Sequence, residues 1–361
     1  MDNNKSSGNV GDCSQEQLDI LQKFRQFATM KGCSEKEFDD HYLLRFLRAR
    51  KFDLVKVEKM FSDFLDWRIK NDVQNIMKFF YNELPEVRHH YPHGYHKTDK
   101  LGRPIYIERI GMLKLTQLFQ VTSEERLIKY YIQSYELLLN RIFPACSQAI
   151  GHRVDQTVTI LDLKGIPMKM LSKQVYNFIQ LASKVAQENY PEILGRMFIV
   201  NAPMLFSGVW AVIKPWIDEK TRNKITIIGS GFKEKLLEII DNDNIPDFLG
   251  GNSKCDLSKN IGPWNPTGET PLFPCEYKDG MKQDGEEEKL VQDGGEEDED
   301  SEAEKQAMEL AALRDALAGK ISGPSSKAPH NPDKYELTTQ GAKFQVSDTP
   351  LNTQAEADDD N

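Results

Sequence analysis

The sequence predicts an α/β protein: a helical N-terminal bundle, then a mainly parallel β-sheet covered by helices, then a disordered acidic C-terminal tail. Three observations predict it. Amphipathic runs with capping signals occupy residues 12–75, short β-rich runs alternate with helical ones over residues 85–275, and the composition changes abruptly over residues 276–361. Asp284 to Glu304 holds twelve acidic residues against one lysine, and residues 305–361 carry nine acidic against six basic. Because all 361 residues together carry −10, residues 1–283 sum to about +4. The low isoelectric point therefore belongs to the tail, where like charges keep the chain solvated, and the mildly basic remainder suits an anionic surface.

Taken in order, Ser14 with Gln17 and Ser34 with Glu37 have capping-box spacing, which predicts helices from about Gln15 and Glu35. A third helix is expected after Asp53, where Val57, Met60, Phe61, Phe64, Leu65 and Trp67 recur near one face. Residues 91–104 carry Pro92, Gly94 and the turn-rich Asp99-Lys100-Leu101-Gly102, and read as a connection. Strands are then expected at 104–110, 156–163, 197–201 and 224–228. Helices are expected at 124–141, capped by Thr122 and Glu125, after Ser172, and from Phe232. Ser301 and Glu304 mark one more helix, ending at Gly319 with Leu310, Leu313 and Leu317 on one face; alone it is marginal.

The run Pro203 to Ile217 has almost no polar side. Pro203 and Pro215 bound it at about 12 residues, roughly 18 Å, where a bilayer span needs about 20 residues. Two readings stand: a helix buried in the core, or a lid whose apolar residues face lipid. Ser207 and Gly208 lower helix propensity and make it easier to bend there.

Several chemistries find no support. Gly229-Ser230-Gly231 lies between a strand and a helix but has Glu234 where a dinucleotide loop needs glycine. Cys146 and Arg153 are separated by six residues, one more than a phosphatase loop has, and Cys146 reads as a buried apolar side chain. His89, His90, His93 and His96 crowd together, but Pro92 and Gly94 place them on a loop without zinc-site spacing, so no metal is expected. No nucleophile elbow, Walker loop or nucleic-acid surface occurs. Neither catalysis nor a cofactor is expected. Five cysteines without close pairing and no signal peptide suggest a reducing, cytoplasmic setting, and no apolar run reaches spanning length, so membrane contact is expected to be peripheral.

Three polar runs remain. They are His41 to Asp53 with Arg45, Arg48, Arg50 and Lys51; Tyr190-Pro191-Glu192; and Lys214-Pro215-Trp216 followed by Thr221 and Lys224. With LLRFLRARKFD (43–53), YHKTDKLGRPIYIE (95–108), TSEERL (122–127), PACSQAIGH (144–152), TVTILDLKG (157–165), NYPEILGRMFIVNAP (189–203) and IPDFLGG (245–251), the chain resembles the CRAL-TRIO domain over residues 14–265. The resemblance is greatest to the secretory phosphatidylinositol/phosphatidylcholine transfer proteins.

The resemblance implies the CRAL-TRIO lipid-binding fold, with a sheet-floored pocket for one phospholipid and Pro203–Ile217 as its gate. It assigns Arg50, Lys51, Glu192, Thr221 and Lys224 to a phosphatidylinositol headgroup. It assigns Tyr95, Tyr106, Thr157 and Thr159 to a phosphatidylcholine headgroup, and Leu205, Phe206, Val209, Trp210 and Ile213 to the gate. The chemistry agrees, since cations neutralise a phosphodiester, Glu192 accepts from inositol hydroxyls and tyrosine rings face a quaternary ammonium. Three positions depart from the pattern. Thr157 stands where serine also occurs, Asn189 replaces an aromatic, and Ile193 stands where close relatives often carry arginine, which removes a headgroup donor. The expected function is exchange of the two phospholipids between membranes by a monomer in transient contact with Golgi or endosomal surfaces, supporting phosphoinositide metabolism and Golgi vesicle traffic, with a lipid kinase as candidate partner. The alternatives are a carrier of a sterol, tocopherol or retinoid, and a lipid-sensing regulatory adaptor.

Overall fold

Ser14 caps the first helix as its spacing predicts: its hydroxyl accepts from Gln17 N and the Gln17 side chain returns to Ser14 N at 3.0 Å, opening α1 (Gln15–Met30). The computed structural model describes residues 6–166, 173–204 and 206–274, without the side chains of residues 173–175. These lie in one of the chain's two compact units, Met1–Met308, and the other, Glu309–Asn361, falls outside them. The acidic tail, its expected helix ending at Gly319, Cys275 and Leu205 are thus outside the described residues.

The helix expected from Glu35 starts later. Ser34 makes only a turn, accepting from Glu37 N at 3.3 Å, and Asp39 instead caps α2 (Asp40–Ala49) by accepting from Tyr42 N at 2.8 Å. Capping spacing alone misleads here because Asp39, not Ser34, adjoins the apolar run of Leu43, Leu44, Phe46 and Leu47 that needs burial. Asp53 caps α3 (Leu54–Lys70), as expected. Phe24, Phe38, Phe46 and Phe64 surround Phe61, with Phe24 and Phe46 edge-on at 5.2 Å, and form the core of the bundle.

Residues 91–104 correct the expectation of a bare connection. After α4 (Leu84–His90) comes β1 (His93–Thr98), antiparallel to β2 (Pro104–Glu108), with Tyr95 opposite Tyr106. Pro92 precedes the strand, and Gly94 serves close approach: a Cβ there would lie 2.3 Å from the Leu257 carbonyl oxygen, which belongs to the segment covering this sheet edge. Next come α5 (Leu115–Val121) and α6 (Glu124–Leu137). Ser123, not Thr122, caps α6, because the Thr122 hydroxyl is taken by Tyr81 Oη at 2.6 Å and Glu83 at 3.1 Å. The helix expected to end at Arg141 continues through a π-helical turn, Leu138–Ile142, into α7 (Phe143–Ile150), a widening that meets the missing N–H of Pro144.

The remaining elements are β3 (Thr157–Asp162), α8 (Lys173–Asn189), β4 (Leu194–Val200), α9 (Phe206–Ile213), α10 (Glu219–Arg222), β5 (Ile225–Ile227) and α11 (Lys233–Ile239). Sheet order is β1-β2-β3-β4-β5, parallel from β2 onward. Because spatial order follows chain order, right-handed crossovers send α5 to α10 to the same face. The opposite face is sealed: Ile105, Ile107, Val158, Ile160, Phe198 and Val200 pack on Phe232, Leu236, Ile240 and Ile245 from α11 and the residues on either side of it. The intervening residues, Tyr106, Glu108, Thr157, Thr159, Leu161, Met197 and Ile199, face the crossover side.

Phe61→Ala, which removes the ring shared by four others, is expected to cost about 3–5 kcal/mol. Urea unfolding followed by tryptophan fluorescence measures it, with a lowered midpoint as the expected result.

Candidate functional site

The crossover helices do not close down on the sheet, and between them lies a cavity of about 1250 Å³. That exceeds the roughly 300–1,000 Å³ of ordinary small-molecule pockets. Its floor includes a row of residues in register, Tyr95, Tyr106, Thr159, Met197 and Ile225. Leu118, Leu127, Leu138, Phe178 and Ile179 contribute apolar wall.

One polar group lies where β4 and β5 begin. Glu192, in the turn between α8 and β4, has φ +63°, the left-handed region that a non-glycine residue enters at a cost. Its side chain is 8% exposed, and the carboxylate holds two ammonium groups, Lys220 Nζ at 2.7 Å and Lys224 Nζ at 3.6 Å. Lys224 also donates to the Leu194 carbonyl at 2.7 Å, and burial lowers its pKa against the pull of Glu192. Thr221 sits one helical turn before Lys224, on α10. Arg48, Arg50 and Lys51, from the end of α2 and the turn after it, complete the lining; burial lowers the pKa of Arg48, and the Glu192 charge opposes that. Lys51 and Phe52 both have positive φ, 53° and 60°, which turns the chain sharply between α2 and α3.

The second polar group is aromatic. Tyr95 and Tyr106 lie 4.9 Å apart, centroid to centroid, and Thr157 and Thr159 are buried beside them on β3. Tyr130, Tyr131, Ser134 and Tyr135 face them from α6. Among these rings lies the Glu108 carboxylate, which accepts from the Tyr91 hydroxyl; burial raises its pKa above the ordinary glutamate value. His93 Nδ1 bonds the Tyr91 carbonyl at 2.7 Å, so the ring carries its proton there and Nε2 accepts from Tyr130 Oη at 2.9 Å. The two polar groups adjoin, since Thr157 N donates to Ile193 O, one residue beyond Glu192.

All nine residues assigned to headgroups in the sequence thus line one cavity, and so do Phe206, Val209, Trp210 and Ile213. The outer side of α9, made of the small residues Ser207, Gly208 and Ala211, is exposed. It is shorter than Pro203–Ile217 because a 3₁₀ turn, Lys214–Trp216, takes its end. The four crowded histidines do not share a loop. His89 and His90 end α4, where His90 Nε2 lies 3.2 Å from Glu86; His93 and His96 are buried on β1, and burial depresses their pKa values to about 3 and about 4. Burial also pushes the Cys146 thiol up to about 12, which leaves it unreactive.

Sequence reasoning missed Glu108, Tyr91 and the α6 tyrosines as parts of the site. The alternation Ile105-Tyr106-Ile107-Glu108 is a signal that places Glu108 on the same face as Tyr106. It also missed a network beneath the site. Arg68 on α3 pairs with Glu136 on α6 at 2.8 Å, Tyr190 donates to the same carboxylate oxygen at 2.9 Å, and the Tyr190 ring stacks on Tyr135 at 4.3 Å. This fixes Tyr190, two residues before Glu192, against the N-terminal bundle.

Comparison with known proteins matches residues 88–251 to the CRAL/TRIO domain and residues 13–63 to the CRAL/TRIO N-terminal domain. The chain is 41% identical over 256 residues to a phosphatidylinositol/phosphatidylcholine transfer protein of Arabidopsis thaliana, SFH12, covering 69% of this chain and 47% of that protein. It is 40% identical over 278 residues to the SEC14 cytosolic factor of Kluyveromyces lactis, covering 73% of this chain and 92% of that one. The chain spans less than half the length of the Arabidopsis relatives it matches. The crystal structure of Sfh5 shares the fold at 19% identity, with a TM-score of 0.54 over 68% of this chain and 91% of that one.

The Arg68–Glu136 pair provides a stability test. Glu136→Gln leaves a guanidinium without its anion between α3 and α6 and is expected to cost about 3 kcal/mol, read as a lowered urea midpoint.

Proposed function

Because the chain belongs to the CRAL/TRIO domain family, we propose that its cavity takes up one phospholipid, phosphatidylinositol or phosphatidylcholine, and exchanges it between membranes. The observation that carries this reading is one apolar cavity with two different polar groups side by side: cations around Glu192, and tyrosines around Glu108. About 30 methylenes, each near the ~30 Å³ of a water molecule, need roughly 900 Å³, which leaves room for a headgroup within about 1250 Å³.

Magnitudes explain the use of such a protein. At ~0.8 kcal/mol per methylene, the passage of two acyl chains with about 30 methylenes between them through water would cost about 25 kcal/mol. A hydrocarbon-lined cavity removes most of that difference, so exchange becomes nearly balanced once the cavity opens against a bilayer, and no bond is made or broken. Opening falls to α9. Phe206, Val209, Trp210 and Ile213 face acyl chains when it is shut, and Met204, 96% exposed just before it, is placed to touch the membrane first. Leu205 joins them by its position in the sequence.

The headgroups divide between the polar groups. Lys224, Arg50 and Lys51 neutralise the phosphodiester of phosphatidylinositol, while Glu192 and Thr221 bind inositol hydroxyls. Tyr95 and Tyr106 face the choline ammonium, Thr157 and Thr159 donate to its phosphate, and Glu108 supplies a counter-charge. In cells this exchange would support phosphoinositide metabolism and Golgi vesicle traffic from the cytoplasm, by contact with Golgi or endosomal membranes and with a lipid kinase as the user of the presented lipid.

Lys224→Ala is expected to lower phosphatidylinositol transfer between liposomes by about 10- to 100-fold, the worth of a lost charged hydrogen bond. Phosphatidylcholine transfer should stay within about twofold; equal loss of both would refute the two-site division. A second test uses pH. Burial favours the protonated form of Glu108 in the empty cavity, whereas a quaternary ammonium favours the carboxylate. Phosphatidylcholine uptake should therefore weaken relative to phosphatidylinositol as pH falls through the raised Glu108 pKa, and Glu108→Gln should abolish that dependence.

A further inference from the structure

The Glu192 carboxylate is already occupied. Lys220 Nζ lies 2.7 Å from one oxygen, closer than Lys224 Nζ, which stands 3.6 Å from the other. The two lysines differ in kind. Lys224 is 17% exposed and tied to the Leu194 carbonyl at 2.7 Å, a fixed part of the cavity wall. Lys220 has a side chain 52% exposed, on the first turn of α10, that reaches inward to the carboxylate of Glu192, whose side chain is only 8% exposed. An ammonium 2.7 Å from a carboxylate oxygen takes up the space and the charge that an incoming hydroxyl would need at that oxygen.

We propose that Lys220 sets the lipid preference: its ammonium occupies the Glu192 oxygen that an inositol ring would use and has to be displaced before phosphatidylinositol is held. This rests on the reading of Glu192 as the inositol acceptor. Phosphatidylcholine, held among the tyrosines around Glu108, meets no such competitor. Lys220 therefore acts against one ligand selectively, and its exposure gives the displaced ammonium water to return to. The handicap is that of a half-exposed ion pair, worth up to about fivefold in relative uptake, and salt should lessen it.

The test measures transfer of both lipids between liposomes of one composition, in parallel. Lys220→Met, which keeps an unbranched apolar stem and drops the ammonium, should raise the phosphatidylinositol-to-phosphatidylcholine transfer ratio by up to about fivefold and make that ratio less sensitive to salt. Lys220→Arg, which keeps a cation at Glu192, should stay near the original ratio. An unchanged ratio in Lys220→Met shows the pair to be incidental, and a lowered ratio shows Lys220 to be a headgroup ligand; either overturns the proposal. Lys224→Ala in the same assay separates the failures. If it leaves phosphatidylinositol transfer intact, the inositol site itself is misplaced; if it abolishes that transfer while Lys220→Met does nothing, only the role of Lys220 falls.

Discussion

A β-strand sends successive side chains to opposite faces, and the cavity depends on how this sheet uses that constraint. Val158 and Ile160 go down into a sealed layer with α11, while Thr157 and Thr159, their neighbours in sequence, go up into open space. Ile105 and Ile107 alternate with Tyr106 and Glu108 in the same way. The downward layer makes the sheet a stable floor without help from its upper face. Crossovers in chain order then bring α5 to α10 over that upper face, where they arch over space instead of filling it.

Polar groups inside such a space are costly unless they have partners. Glu192 shows how the chain meets that cost: a left-handed backbone aims it inward, and two lysines balance it. Glu108 shows the other solution, a hydrogen bond from Tyr91 that opposes the upward push of burial on its pKa. The two carboxylates therefore differ in their surroundings, one held by two ammonium groups, the other buried among rings with a single hydroxyl donor. On the proposed reading, that difference would let adjoining parts of one cavity treat an inositol ring and a quaternary ammonium differently. The Arg68–Glu136–Tyr190 network ties the first of these to the N-terminal bundle, so the bundle is part of the site's foundation as well as a source of Arg50 and Lys51.

Where local chemistry decided the outcome, the sequence was legible. The Ser14 and Asp53 caps, the apolar alternation of β3 and the Pro203–Pro215 bounds around α9 all express themselves within a few residues. Where a distant partner decided, reading failed. Gly94 resembled a loop glycine until the Leu257 backbone was seen to press on it, and Thr122 resembled a cap until Tyr81 and Glu83 took its hydroxyl. Ser34 had the right spacing but no apolar run beside it to bury. The residues around Glu192 and Lys224 come from segments far apart in the chain, and periodicity brings no such residues together; resemblance to a family supplied that grouping. Glu108 lies within reach of the strand pattern, on the face of Tyr106, but its role depends on the rings of α6 and on Tyr91, which local periodicity does not bring to it. Lys220 carried no sequence signal beyond being one more surface lysine, and only its 2.7 Å approach to Glu192 singles it out.

The most direct measurement of the central claim is the intact mass of the folded protein, purified without detergent from a eukaryotic host and sprayed under native conditions. The account predicts one phospholipid per chain, released on unfolding and identified as phosphatidylinositol or phosphatidylcholine. A mass equal to the bare chain, or an adduct the size of a sterol or retinoid, would contradict it.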